Sequence, residues 1–218
     1  RHADSIRTRY PKTWRRSSGY SLNYLLPYAA SRPHGWEAEH YPSSTPTNLA
    51  KLLVGSEGTL AVLTRVKLNL VPRPKKTALC ILHFDSIAQA ADSAPAILES
   101  NPSAIELVDR MMIDLTREVP AYARLLTWVR GHPAAVLIVE FYGESDDELI
   151  AKVAALEARR LAPVTVRAIT PEEQNRVWGV RKVGLGLLMS VRGDAKPLAF
   201  MEDVAVPVEH LGEYVREV

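Results

Sequence analysis

Residues 52–72 read LLVGSEGTLAVLTRVKLNLVP and join a glycine-containing loop to a run of alternating apolar residues. The loop is GSEGT, at residues 55–59. Two glycines three residues apart allow backbone conformations that other residues disfavour, and they let a ligand come close to main-chain N–H groups. A tight glycine turn with a capping serine would have the same sequence, and the five residues alone favour that simpler structure.

The residues that follow the loop predict a β-strand over 60–70. Apolar side chains recur there at a period of two, which places one set on a single face of the strand. Pro72 and Pro74 end the strand, and two lysines form a polar join. We therefore place a domain boundary between residues 75 and 76. The residues of the apolar face are Leu60, Val62, Thr64, Val66, Leu68 and Leu70.

Beyond the boundary, the pattern alternates strands with helices. This order predicts an α+β fold of ferredoxin-like type, with an antiparallel sheet and helices on one face. Strands are predicted over 77–84, 104–108, 134–142, 164–169 and 201–208, and helices over 86–98, 111–117, 145–161, 170–189 and 208–218.

Capping signals mark three of these helix starts. Each has a Ser or Thr whose side chain can accept a hydrogen bond from the first turn, with a Glu or Gln three residues later. Pro95 is expected to bend its helix or to end it early. The three signals are Ser86 with Gln89, Ser145 with Glu148, and Thr170 with Glu173, the last with a proline at the first helical position.

Composition excludes several classes of protein. The 218 residues include 27 basic and 25 acidic side chains, a balance too even to indicate a nucleic-acid partner. No apolar run approaches the roughly 20 residues of a membrane span, and no signal peptide heads the chain. Cys80 is the one cysteine, which excludes an internal disulfide. The six histidines have no metal-ligand spacing, and His83 is expected to be a core residue. A cytoplasmic protein is expected, with peripheral association at the inner membrane left open.

The glycine loop and its surroundings resemble one family. SGYSL at 18–22, NL at 48–49 and the segment 52–72 are similar to the end of the FAD-binding domain of the vanillyl-alcohol-oxidase superfamily. The branch is that of the D-lactate, glycolate and D-2-hydroxyglutarate dehydrogenases. Ala61 stands where this family usually has glycine. The resemblance implies that residues 1–75 end an FAD-binding domain. It assigns contacts with FAD to Gly19, Tyr20, Gly55, Ser56, Glu57, Gly58, Thr59 and Val62.

A second set of motifs resembles the C-terminal cap domain of the same family. VWGVRK at 177–182 is similar to its Trp-x-x-Arg helix, and FMEDVAVP at 200–207 to its strand ending in Asp-x-x-x-Pro. The resemblance implies that residues 76–218 form this FAD-linked oxidase C-terminal domain, truncated, with Arg181 holding the substrate carboxylate. Met201 stands where many members have a lysine, so Lys196 is expected to supply that cation. The form of residues 194–203 is most similar to long members fused to an iron–sulfur module.

The residue types give these assignments limited independent support. A guanidinium can hold both oxygens of a carboxylate, but an exposed helix arginine paired with an acid would have the same sequence. On the predicted strand, Asp203 shares a face with Met201 and Ala205, and Val204 and Val206 point the other way, into the core. Asp203 would then face the substrate cavity, or else be a charge on an edge strand.

These features predict a fragment of an FAD-dependent dehydrogenase that oxidises a small 2-hydroxy acid by hydride transfer to the flavin. Electrons would pass to an iron–sulfur module or another acceptor, although an oxidase using oxygen directly is not distinguished. The alternative is a non-catalytic ferredoxin-like interaction or regulatory module with a purely structural glycine loop. The chain starts at Arg1 and stops inside a predicted helix, so both ends are expected to be cuts in a longer protein, and the fragment alone is expected to be inactive. A pyrophosphate loop upstream of Arg1 would favour the enzyme.

Overall fold

The computed structural model describes residues 2–10, 19–25, 49–68, 70–190, 193–194 and 204–218. The chain divides into two compact units. The first comprises Arg1–Leu70 and Ala199–Pro207, and the second comprises Val71–Leu198 and Val208–Val218. Among the described residues, no helix has both the length and the apolar character needed to cross a bilayer.

The described part of the first unit consists of short helices and extended chain. Helix α1 spans Ala3–Arg9, a 3₁₀ helix spans Leu22–Leu25, and helix α2 spans Ala50–Leu53. The 3₁₀ helix packs against α2, and the glycine loop follows α2 directly.

The predicted strand over 60–70 is wrong. Its described residues, 60–68 and 70, are not assigned to a strand, and Val62 and Leu70 are 90% and 85% exposed. Alternation determines which side chains share a face, but a strand is held by hydrogen bonds from a neighbouring strand. None of the described residues supplies that neighbour, so the apolar face of this segment is left uncovered.

The second unit is built on four antiparallel strands in the order β2-β3-β1-β4. Strand β1 pairs with β3 over its whole length, from Lys76 opposite Gly143 to Phe84 opposite Ala135. All four strands were predicted to within two residues. They are β1 (Lys76–Phe84), β2 (Ala104–Asp109), β3 (Ala135–Gly143) and β4 (Val164–Ala168).

Helices cover both faces of this sheet, so the prediction of helices on one face is wrong. Helices α3 (Ile87–Leu98) and α6 (Asp146–Ala158) connect the strands of the two β-α-β units and cover the face that carries Cys80 and Leu82. Helices α4 (Arg110–Glu118) and α7 (Pro171–Met189) cover the face that carries Leu79 and Ile81. The physical reason is that β1 and β3 are apolar on both faces, so each face needs a cover. The short helix α5 spans Pro120–Ala123.

The predicted helix starts are confirmed by their caps. The side chains of Ser86 and Ser145 accept hydrogen bonds from the third residue beyond, and Thr170 forms a complete capping box with Glu173. Pro95 does not end its helix early, because α3 continues to Leu98, and a bend at Pro95 stays a prediction. Ala94 and Ile97 remain buried on either side of the proline, and this packing outweighs the hydrogen bond that proline removes.

The C-terminal prediction is partly wrong. Residues 201–203 lie outside the described residues, and 204–207 are not assigned to a strand. Val204 is exposed rather than directed into a core. The last predicted helix is confirmed as a 3₁₀ turn at Val208–His210 followed by α8, Leu211–Glu217. Helix α8 packs on α3, where its Arg216 pairs with Asp92.

Candidate functional site

The glycine loop in the first unit is a compact turn that follows α2. The Ser56 N–H donates to the Leu53 carbonyl at 3.2 Å, and the Thr59 N–H donates to the Ser56 carbonyl at 2.9 Å. Gly55 and Gly58 have φ values of +81° and +76°, which lie in the left-handed region that favours glycine. The loop therefore needs glycine at both positions to keep this backbone path.

The backbone at both glycines is open. A Cβ atom added to Gly55 or Gly58 would meet no heavy atom of the described residues within 4 Å. Packing against that part of the chain therefore does not explain the glycines, and their N–H and Cα groups are open to a ligand there. This arrangement fits a loop that contacts a dinucleotide, as predicted from the spacing of the glycines.

The structure brings together residues that were predicted from two separate motifs. The Tyr20 and Thr59 side-chain oxygens lie 2.9 Å apart. Because the Thr59 hydroxyl donates to the Ser56 carbonyl at 2.6 Å, Tyr20 is the donor in its bond with Thr59. Gly19, with φ of +78°, precedes Tyr20 and makes the turn into this contact. Tyr20, Ser56 and Thr59 thus form one hydrogen-bonded group.

Among the described residues, the remaining predicted flavin contacts are not joined to this group by side-chain hydrogen bonds. Glu57 is exposed and adopts a positive φ of 49°, and Val62 is 90% exposed. Asn23 was missed by the sequence argument. It is only 6% exposed, and its Oδ1 atom has no hydrogen-bond partner among the described residues. An orphaned buried acceptor on the 3₁₀ helix that packs against α2 fits a nearby ligand donor.

In the second unit, Arg181 lies on the exposed side of α7. Its side chain is 53% exposed, and its Nε donates to Glu106 Oε2 at 3.0 Å. Glu106 lies on β2 and is 40% exposed. Lys196 and Asp203, the other two predicted substrate residues, lie outside the described residues, so their proximity to Arg181 stays a prediction.

Glu106 and Glu140, which were not predicted from the sequence, lie on the same face of the sheet. Glu106 lies opposite Ile138, and Glu140 is two residues further along β3, which makes the two acids diagonal neighbours. Burial raises the pKa of Glu140, the hydrogen bond from Tyr142 acts against that shift, and the charge of Glu106 raises it further. A glutamate inside the apolar run AVLIVEFY was the available signal.

Buried Gln174 fixes α7 on the sheet. Its side-chain NH₂ donates to the carbonyls of Thr77 and Ile169, each at 2.7 Å, and its Oε1 accepts from the Thr77 hydroxyl at 2.5 Å. Arg181 lies seven residues further along the same helix, which is about two turns. The capping box at Thr170 and the contacts of Gln174 together set the direction in which Arg181 projects.

Comparison with known proteins places the chain in a family. Residues 73–218 match the family described as FAD linked oxidases, C-terminal domain, and the chain belongs to it. This confirms the resemblance found in the sequence.

The curated relatives include dehydrogenases of two hydroxy acids. D-2-hydroxyglutarate dehydrogenase from Escherichia coli (strain K12) is 32% identical over 95% of this chain, and the chain covers 20% of that protein. The protein of the same name from Pantoea ananatis (strain AJ13355) is 28% identical over 99% of this chain, which covers 21% of it. The mitochondrial D-lactate dehydrogenase [cytochrome] of Arabidopsis thaliana is 29% identical over 79% of the chain, which covers 30% of it. The chain thus spans about a fifth of the D-2-hydroxyglutarate dehydrogenases.

Proposed function

We propose that this chain is part of an FAD-dependent dehydrogenase that oxidises a small 2-hydroxy acid. Membership of the FAD-linked oxidase family supports the cofactor, and the names of the relatives support the substrate class. The structural observation that supports the proposal is the exposed guanidinium of Arg181. Its guanidinium is exposed on a firmly placed helix, and among the described residues its two terminal nitrogens have no hydrogen-bond partner.

Residues 1–75 would supply part of the flavin site. The open backbone at Gly55 and Gly58 would contact FAD, with Tyr20 and Thr59 holding the loop in shape. The exposed apolar side chains among residues 60–68 and 70 support a surface that other parts of a vanillyl-alcohol-oxidase-type FAD-binding domain would cover. When bound, the flavin provides an acceptor for the hydride that leaves the substrate.

Residues 76–218 would supply part of the substrate site. The free end of the Arg181 guanidinium can donate two parallel hydrogen bonds to the two oxygens of the substrate carboxylate. Fixing that carboxylate also fixes the adjacent carbon, which carries the hydroxyl group and the hydrogen to be transferred. We propose that Lys196 adds a second cation and that Asp203 faces the same cavity. A substrate with a second carboxylate, such as D-2-hydroxyglutarate, would have more need of Lys196 than D-lactate would.

The electrons would leave through an iron–sulfur module or another acceptor of the whole protein. The similarity of residues 194–203 to long members of the family that are fused to an iron–sulfur module supports such an acceptor. No residue described in the structure is assigned to this step.

The proposal is tested with the full-length protein. Its visible spectrum should show bands near roughly 370 and 450 nm, the expected absorption of a flavin. Anaerobic addition of D-lactate, D-2-hydroxyglutarate or glycolate should bleach the long-wavelength band, whereas the L-enantiomers of the first two should not. A colourless protein, or a yellow one that none of these acids bleaches, would overturn the proposal.

A further inference from the structure

We propose that Glu106 is a positioning residue for substrate binding, which holds Arg181 by its Nε atom and leaves the far edge of the guanidinium free for the substrate carboxylate. This inference rests on the proposed function, because that function gives Arg181 its ligand. Nothing in the sequence around Glu106 indicates the role. It emerges only when β2 and α7 are placed side by side.

The inference depends on which nitrogen of the Arg181 guanidinium Glu106 contacts. A guanidinium is planar and has two edges that can each bind a carboxylate, one formed by Nε with a terminal nitrogen and the other by the two terminal nitrogens. The Nε of Arg181 donates to Glu106 at 3.0 Å, and among the described residues no hydrogen bond joins Glu106 to a terminal nitrogen of Arg181. The end-on edge therefore stays available for a second, incoming carboxylate.

The other arginine–carboxylate pairs of the described residues are different. In each of the other five, a terminal nitrogen of the arginine contacts the acid, and in Arg167 the Nε contacts it as well. Arg181 alone among these six is held through Nε only. The five other pairs are Arg117 with Asp114, Arg159 with Glu99, Arg167 with Glu157, Arg176 with Glu172, and Arg216 with Asp92.

Glu106 is well placed to orient another side chain. It lies within β2, opposite Ile138 in the ladder with β3, so its backbone is fixed by the sheet. The Arg181 backbone is fixed separately, through the contacts of Gln174 with β1. A long side chain that bridges two such elements loses its freedom before substrate arrives, which lowers the entropy lost on binding.

The charge of Glu106 does not prevent this role. An incoming carboxylate at the end-on edge would contact the guanidinium directly, but it would be separated from Glu106 by the width of that group. Since Coulomb energies fall with distance, the attraction in contact exceeds the more distant repulsion.

The test is steady-state kinetics of the full-length holoenzyme with its best hydroxy acid. Glu106→Ala should raise KM about 5- to 20-fold and leave kcat within about twofold, because an interaction used in binding is weakened. Glu106→Gln keeps an oxygen that accepts from Nε, so its KM should rise by no more than about threefold. Glu157→Ala removes the partner of Arg167 and serves as the control, with KM and kcat unchanged. Flavin content should be the same in all variants.

A coupling measurement separates positioning from a general structural effect. A lysine has a single amino group, so Glu106 cannot hold one nitrogen while other nitrogens of the same side chain bind the substrate. In an Arg181→Lys background, Glu106→Ala should therefore change KM by less than about twofold. A lower KM in Glu106→Ala would overturn the inference, since Glu106 would then be competing with substrate for Arg181. An unchanged KM in Glu106→Ala, or a loss confined to kcat, would also overturn the inference. The proposed function would still stand in that case if Arg181→Ala were strongly impaired. If Arg181→Ala itself had no effect, the proposed function would fail instead.

Discussion

Gly58→Val in the full-length enzyme should lower the flavin content beyond what its loss of folding stability explains. Gly58 has a φ of +76°, and an added Cβ meets no heavy atom of the described residues within 4 Å. The substitution therefore introduces backbone strain without a clash against this part of the chain. An L-residue in the left-handed region costs about 1–2 kcal/mol, and a β-branched side chain lies at the upper end or beyond.

A matched control separates strain from loss of the ligand contact. Gly131 has a φ of +64° and also has no heavy atom within 4 Å of an added Cβ, but it lies in the second unit, far along the sequence from the loop. Gly131→Val should therefore suffer similar strain and keep its flavin. In Gly58→Val the branched side chain would fill the space through which FAD approaches, and losing about 1.4 kcal/mol or more of binding free energy weakens affinity at least about tenfold.

Flavin content is measured by absorbance after denaturing release, per mole of purified protein, beside a thermal unfolding curve for each variant. Gly58→Ala should fall between wild type and Gly58→Val. If Gly58→Val retained as much flavin as Gly131→Val, and full activity, the loop would be a turn that FAD does not touch, and the assignment of residues 55–59 would be refuted.

Two further predictions concern the second unit. His83 is 3% exposed, and burial lowers its pKa below the ordinary 6.5, so the folded state favours the neutral ring. The stability that the neutral His83 ring contributes is therefore fully present above the pKa of histidine in the unfolded chain, and it is lost as pH falls below that value. In His83→Gln, the free energy of unfolding measured in urea should depend less steeply on pH between about pH 5 and 7. An unchanged slope would contradict this prediction. Gln174→Leu leaves the carbonyls of Thr77 and Ile169 without their side-chain donor, and should lower the free energy of unfolding by about 2–3 kcal/mol in the same assay. A change under about 0.5 kcal/mol would show that water replaces these bonds.

Much of the second unit could be predicted because its signals are local. Capping residues such as Thr170 with Glu173 act within one turn, and they gave the start of α7 correctly. The strands around Cys80 and Ile138 were also predictable, since long apolar runs bounded by turn residues leave few alternatives. The same apolar runs make β1 and β3 apolar on both faces, which requires helices on both sides of the sheet. The prediction of helices on one face failed because it did not use this property.

The failures share a different physical cause. Residues 60–70 carry a clear period of two, but a strand forms only when another segment pairs with it. Pro95 illustrates the opposite case, in which burial of its neighbours overrides a local signal that should end the helix. Local patterns therefore give reliable helix starts, and non-local packing decides which of the other signals are realised.

The candidate site was predictable to the same extent. The glycines and Arg181 lie in compact motifs, so the resemblance to a family identified them. Glu106 is 75 residues from Arg181 in sequence and reaches it only through the pairing of β2 and the packing of α7. Glu140 is brought beside Glu106 by strand register, which the sequence did not provide.

The most direct test of the central claim, that Arg181 binds the carboxylate of a 2-hydroxy acid, is the kcat/KM of Arg181→Ala in the full-length enzyme. Loss of a charge pair that is desolvated in the substrate complex should lower kcat/KM by about 2–4 kcal/mol, roughly 30- to 1000-fold. Arg181→Lys should mainly raise KM, because it keeps the charge but loses the two-pronged geometry. Arg176→Ala is the matched control, since Arg176 lies on the same helix and pairs with Glu172 through a terminal nitrogen. The account predicts a large loss in Arg181→Ala with normal flavin content and an unaffected control, and it is contradicted if Arg181→Ala stays within about twofold of wild type.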